Sequence, residues 1–354
     1  MITSFSLKSV PQILFGPGKL GELENLTGQL GRNPLLVVGG KSFCRSTHFR
    51  EVQGIFSRLG LAAPTIHISG EPSPEMIDDL VADPAFGPID MVIAIGGGAT
   101  LDAGKALSAM LVEGGGVSRF LEGIGKATVS GRKLPFIAVP TTSGTGSEAT
   151  SNAVLSSVGE NGFKRSLRHD KYIPDLALVD PSLTLSCPPE LTAACGMDCF
   201  TQLVEGYLST NGSTMTDTLA LEGIRGIMRS LLKAYTDGSN LQARCDLSYA
   251  ALLSGIVLAN AGLGTIHGFA STIGGLFPIP HGVVCGTLMA PANRVTLHHL
   301  TRNSPDHPAL SKYTTLGKIF SKHDDKADDW YRNHFIDKLE QLTDDLNIAP
   351  LSSY

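Results

Sequence analysis

Two histidines, His267 and His281, stand fourteen residues apart in ANAGLGTIHGFASTIGGLFPIPHG (259–282). That separation is about four turns of a continuous helix, but Gly274, Gly275, Pro278 and Pro280 lie between them and break the hydrogen-bond ladder. The spacing therefore predicts a helix end carrying His267, a turn, and a second segment that returns His281 toward the first. Imidazoles converging from two segments suit a divalent cation of borderline softness, and glycines let the backbone approach a ligand. Taken singly, each histidine reads as an ordinary half-buried residue with one hydrogen-bond partner.

A carboxylate belongs to the same discussion. In CGMDCFTQ (195–202), Asp198 and Gln202 are four apart and share one face of an apolar helix. Desolvating a carboxylate there is costly unless a partner compensates. A metal is one such partner, and a cap or salt bridge is the other reading. Cys199 projects away from Asp198 on a helix and is set aside as a ligand.

Elements that position these residues are legible further upstream. Uninterrupted apolar runs at Leu35–Val38, Met91–Ile95, Phe136–Val139 and Leu176–Val179 read as strands covered on both faces, as in a parallel sheet; Gln12–Phe15 and Pro64–Ile68 are shorter candidates. Between them the pattern predicts helices over Leu20–Leu30, Phe49–Leu59 and Pro74–Val81, the last with Ser73 as N-cap. After Met91–Ile95 comes Gly96-Gly97-Gly98-Ala99-Thr100-Leu101-Asp102, then a helix over Ala103–Leu111. A glycine run between a strand end and a helix start leaves amide N–H groups free for a pyrophosphate; a tight turn with no ligand is the plainer alternative. GxGxxG itself is absent. The hydroxyl-rich Pro140–Glu148, following a buried strand, offers donors along a cleft or is simply a solvated loop.

From Glu190 onward the sequence reads as helix almost throughout, with segments at Glu190–Ser209, Thr216–Tyr235, Leu241–Ala261, Val283–Leu300 and Asp325–Leu346. The expected fold is thus an α/β domain with a mostly parallel sheet (1–187), which carries the candidate nucleotide turn, followed by an all-α domain (188–354), which carries the candidate metal residues. The formal charge of -5, without a basic stripe, argues against a nucleic-acid partner. Leu247–Ile266 is apolar but carries Ser248, Ser254, Asn260 and glycines, which favours a buried helix over a membrane span. Six cysteines without a CxxC pair, behind an N-terminus with no export signal, read as reduced, mostly buried residues of a cytoplasmic protein.

In series, FGPG (15–18), GGGATLD (96–102), PTTSGTGSE (140–148), LVDPSLT (178–184), GMDCFTQLVEGY (196–207), HGFAS (267–271) and PIPHG (278–282) resemble the iron-containing (group III) alcohol dehydrogenase family, whose relatives include glycerol dehydrogenase, maleylacetate reductase and dehydroquinate synthase. The resemblance spans nearly the whole chain. It implies a dehydroquinate synthase-like architecture and reversible hydride transfer between a small alcohol or aldehyde and NAD or NADP. Gly97, Gly98 and Asp102 would then face the pyrophosphate or support its turn, Thr141, Thr142 and Thr145 would line the adenine and nicotinamide sides, and Lys164 would reach the cofactor from the following loop. Where NAD-preferring members carry an acidic residue, this chain has Gly40, followed by Lys41 and Ser42, which favours NADP.

By the same resemblance Asp198, His267 and His281 match three ligands of a divalent metal, Fe or Zn. Gln202 stands where the family has a fourth, a histidine. An amide oxygen is the weaker donor. Ser271 replaces a second histidine that would carry a proton; serine relays protons but cannot hold one near neutral pH. A metal-assisted dehydrogenase, a homodimer as relatives commonly are, is the leading expectation. The alternatives are a metal-independent or altered-metal reductase of the maleylacetate reductase kind, and a nucleotide-binding protein without catalysis. Few basic residues between 190 and 290 speak against the phosphorylated, carboxylated substrate of dehydroquinate synthase.

Overall fold

The structure, a computed structural model, describes residues 4–354, with the backbone alone of Lys41. In chain order the first part holds β1 (Gln12–Phe15), α1 (Leu23–Leu30), β2 (Pro34–Gly39), α2 (Lys41–Cys44), α3 (Thr47–Leu59), β3 (Thr65–Ile68), α4 (Pro74–Ala82), β4 (Met91–Gly96), α5 (Gly98–Glu113), β5 (Phe136–Pro140), β6 (Asn152–Ser157), β7 (Phe163–Arg168) and β8 (Leu176–Val179). Six strands form one parallel sheet in the order β1-β8-β5-β4-β2-β3. Its apolar runs are continuous because both faces are covered. Leu35, Val37, Val92 and Ala94 point into a core shared with α5, while Leu36, Val38, Ile93 and Ile95 point into one shared with α1 and α3.

Local chemistry sets several boundaries. Ser46 and Ser73 cap α3 and α4 by accepting from the amides of Phe49 and Met76 at 3.1 and 3.2 Å. The helix after β4 begins at Gly98, five residues before Ala103, because Thr100 and Leu101 already donate to the Gly97 carbonyl. The expected Leu20–Leu30 helix opens as a 3-10 turn over Lys19–Glu22. Strands β6 and β7 pair antiparallel as a separate hairpin and correct the sequence reading, which put Lys164 in a loop. Their signal was weak: of their apolar residues only Ala153, Leu155 and Leu167 turn fully inward, and FKRSLR looks like surface.

The second part is α6 (Pro189–Leu208), α7 (Thr214–Thr236), α8 (Leu241–Ala261), α9 (Thr265–Leu276), α10 (His281–Asn303), α11 (Pro308–Phe320) and α12 (Asp328–Asp345), of which α11 had not been anticipated. These helices share one core, including Phe200, Leu203, Ile224, Leu231, Leu247, Tyr313 and Phe335. Among the described residues no single helix is long and apolar enough to cross a membrane; α8 and α9 pass such a test only as a pair, bent by 101° at Gly262–Gly264. Much of α8 is core. Among the described residues all six cysteines are free, Cys199 and Cys285 fully buried and the other four partly so.

Candidate active site

The carboxyl ends of β2, β4 and β5 gather one set of expected residues. The chain leaves β2 for β3 on one side and places β4 and β5 on the other, so the crevice above β2 and β4 is the topological switch point where open α/β sheets take ligands. Close packing here needs glycine. A Cβ on Gly96 would lie 2.5 Å from Thr100 Oγ1, and one on Gly98 2.5 Å from Thr145 Cγ2. With Gly97 as N-cap, the first amides of α5 lack intrahelical acceptors and the positive end of the helix opens into the crevice. Gly97 itself faces Thr142, and Thr141 donates its amide to the Gly96 carbonyl at 2.9 Å. Gly40, with φ +61°, caps the short α2. Its backbone conformation alone disfavours a side chain there.

Beside this edge lies a cleft of about 230 Å³, walled on one side by Gly98, Asp102 and Thr145 and on the other by Asp198, His267, Ser271 and His281. Asp102 is a brace: it accepts from Ser147 Oγ at 2.5 Å and from the Val154 amide at 3.1 Å, tying α5 to the loop after β5 and to the hairpin. Buried Lys105 completes the brace by donating to Ser147, Thr150 and Asn152; burial, only partly offset by Asp102 and Glu148, brings its pKa down to about 8. Lys164, on β7, reaches the cleft and is held by Glu71, which also accepts from Ser156. Ser271 sits one turn after His267 on α9.

At the cleft floor, α6, α9 and α10 converge. His267 Nε2 is 3.2 Å and His281 Nε2 3.7 Å from Asp198 Oδ1, and the rings are 5.4 Å apart. Both histidines occupy first turns, His267 in α9 and His281 as the opening residue of α10, because the proline-containing turn at 277–280 ends one helix and starts the next. Burial opposes ionisation of Asp198, but the charges of His281 and His267 and hydrogen bonds from His267 and Gln202 overcome it and draw its pKa down to about 2. A carboxylate and two imidazoles with nitrogens turned inward form a donor set that fits a divalent metal.

The family model described as iron-containing alcohol dehydrogenase matches residues 11–181, and that described as Fe-containing alcohol dehydrogenase family, C-terminal, matches 192–352. The chain belongs to the iron-containing alcohol dehydrogenase family. Long-chain-alcohol dehydrogenase 1 of Geobacillus thermodenitrificans is 38% identical over 284 residues, 77% of this chain and 70% of that protein. The NADPH-dependent butanol dehydrogenase of Clostridium saccharobutylicum is 31% identical over 339 residues, 95% of this chain and 81% of its own. Among solved structures, the alcohol dehydrogenase from Oenococcus oeni superposes with a TM-score of 0.87 at 29% identity, covering 98% of this chain and 88% of that one. The protein is a metal-dependent alcohol dehydrogenase or aldehyde reductase that uses NAD(P).

Tertiary structure adds residues to the dehydrogenase that the sequence reading passed over. Glu205, seven residues after Asp198 on the same face of α6, accepts from His267 Nδ1 at 2.6 Å and from the Ile266 amide at 2.6 Å. Its signal was the 198, 202, 205 spacing inside GMDCFTQLVEGY. Gln202 sits beside Asp198 but presents nitrogen: Nε2 donates to Asp198 Oδ1 at 3.1 Å, while Oε1 accepts from Ser254 Oγ at 3.1 Å. Cys285, one turn after His281, brings Sγ within 3.8 Å of His267 Nε2 and 3.7 Å of His281 Nε2.

Proposed function

We propose that Asp198, His267 and His281 hold the divalent metal of this dehydrogenase at the cleft floor, with the coenzyme stretched over the β4–α5 turn and a small alcohol or aldehyde between them. The observation that carries this reading is the approach of three donor atoms from three helices to one point that opens into the same cleft as Gly98 and Thr145. A bound cation supplies Lewis acidity toward the substrate oxygen, and the nicotinamide carries the hydride. Glu205 fixes the His267 ring with Nε2 toward the cleft. Ser271 offers a hydroxyl on the cleft wall that passes a proton between water and substrate without retaining it. The helical wall and the β6–β7 hairpin exclude bulk water from the reacting atoms.

For the coenzyme, Gly97, Gly98 and the α5 N-terminus take the pyrophosphate, Asp102 supports that turn, Thr141, Thr142 and Thr145 flank the two ends, and Lys164 approaches from the hairpin. Ser42, with Lys41 beside it and no carboxylate at Gly40, favours NADP; the NADPH dependence of the butanol dehydrogenase relative supports the same choice. The division into 1–187 and 188–354, residence in the cytoplasm and a homodimeric state complete the reading.

The test is turnover by chelator-treated protein reloaded with Fe(II) or Zn(II), using NADPH or NADH and a panel of short aldehydes. Activity that returns with metal and is greater with NADPH supports the proposal. His267→Ala abolishes turnover and leaves coenzyme binding, read by nucleotide fluorescence, within about twofold; full turnover in that variant overturns the ligand assignment.

A further inference from the structure

We infer that Cys285 is the fourth protein ligand of the metal site and makes it a thiolate site that selects zinc over iron. The inference rests on the Asp198, His267 and His281 reading above and concerns what completes that set.

One turn of α10 separates His281 from Cys285, so both side chains leave the same face of the helix. Cys285 is fully buried in the helical core, and its sulfur also faces two imidazoles: it lies 3.7 Å from His281 Nε2 and 3.8 Å from His267 Nε2. One donor atom from each of Asp198, His267, His281 and Cys285 falls within 4.8 Å of all the others. A tetrahedron built from ordinary zinc bond lengths has nitrogen–nitrogen or nitrogen–oxygen edges of about 3.3 Å and nitrogen–sulfur edges of about 3.6 Å. The observed aspartate–histidine separations of 3.2 and 3.7 Å and sulfur–nitrogen separations of 3.7 and 3.8 Å are close to those edges.

Gln202 leaves the fourth place to this sulfur. Its amide oxygen is engaged by Ser254 and its nitrogen by Asp198, and a protonated amide nitrogen has no lone pair for a cation. The other three ligands border the cleft whereas Cys285 does not. The thiol therefore closes the rear of the site and leaves the substrate side to the cleft. Metal entry releases the thiol proton to solvent, with no oxidant or reductant involved. Thiolate is the softest donor of the set, and replacing imidazole or amide by thiolate shifts preference from iron toward zinc.

Cobalt(II) is the probe. Full-length protein is stripped with chelator, loaded with one equivalent of Co(II) under reducing conditions, and its absorption recorded for wild type, Cys285→Ser, Cys285→Ala and His267→Ala. The expected result is a near-ultraviolet thiolate-to-cobalt charge-transfer band in wild type that disappears in both Cys285 variants while they still bind Co(II). Their Zn(II) affinity, measured against a chromophoric chelator, should fall at least 10-fold, with Fe(II) affinity changed much less. Cobalt bound by wild type without that band, or a band that survives in Cys285→Ala, overturns the assignment and leaves the three-ligand site standing. Wild type that binds no Co(II) overturns both. If Cys285→Ser fails to fold, Cys285→Ala gives the same reading, because alanine suits the small-residue packing of α10 and carries no donor atom.

Discussion

Glu205 Oε2 lies 2.6 Å from Nδ1 of His267, on the side of the ring opposite Asp198, and the other Glu205 oxygen accepts the Ile266 amide. One carboxylate thus fixes both the start of α9 and the orientation of the His267 ring, since holding Nδ1–H turns Nε2 toward Asp198 and the cleft. Glu205→Gln keeps the shape but removes the charge that stabilises this arrangement. Metal affinity is expected to fall about 10–100-fold, read by chelator competition. An affinity within twofold of wild type would show that Glu205 serves the helix start alone.

The glycine at the head of α5 is expected to be intolerant for a steric reason. In Gly98→Ala the new methyl would meet Thr145 Cγ2 at 2.5 Å, so the loop after β5 must move. A stability loss of about 1–3 kcal/mol and a coenzyme Kd raised by roughly tenfold, about 1.4 kcal/mol, are expected from denaturation and fluorescence titration. Thr145→Ala in the same chain should recover part of both losses, and a double-mutant cycle measures the coupling. Strict additivity would dissociate the two residues.

Ser271 borders the cleft and has no titration near neutrality to lend. Ser271→His should add to the pH profile of kcat/KM a limb near the ordinary imidazole pKa, about 6.5. An unchanged profile would place the proton path elsewhere.

Beneath the cleft, burial pushes the Glu148 carboxyl up to about 7, against the opposing pull of its own backbone amide and Lys105. Between the ordinary value of 4.5 and 7 the native protein holds a proton that the unfolded chain has released. Stability from this group is therefore full below pH 4.5 and is lost as pH rises through 7. Relative to Glu148→Gln, wild type should lose on the order of 3 kcal/mol across that window, measured by chemical denaturation at a series of pH values. A difference that stays flat with pH would show the carboxyl ionised throughout.

How much of this was legible in the sequence depended on how local the signal was. Leu35–Val38 and Met91–Ile95 announced themselves as central strands because both faces of the sheet demand apolar side chains, and Pro278 and Pro280 announced a break because proline cannot continue the hydrogen-bond ladder, whereas Gly274 and Gly275, expected to break it too, lie inside α9. The hairpin of β6 and β7 stayed hidden since FKRSLR buries a single leucine fully, and α11 since its start follows an ordinary polar turn.

Family membership, the alternation of strands with helices followed by helices alone, and the Asp198, His267 and His281 candidates were all carried by short runs of neighbouring residues, each readable by itself. Glu205 and Cys285 were not, although both were in plain view in the sequence. Whether a carboxylate seven residues along a helix braces a histidine 62 positions away, or whether a buried thiol is core or ligand, depends on how α6, α9 and α10 cross. That crossing is set by packing among all the helices at once, and no single segment encodes it.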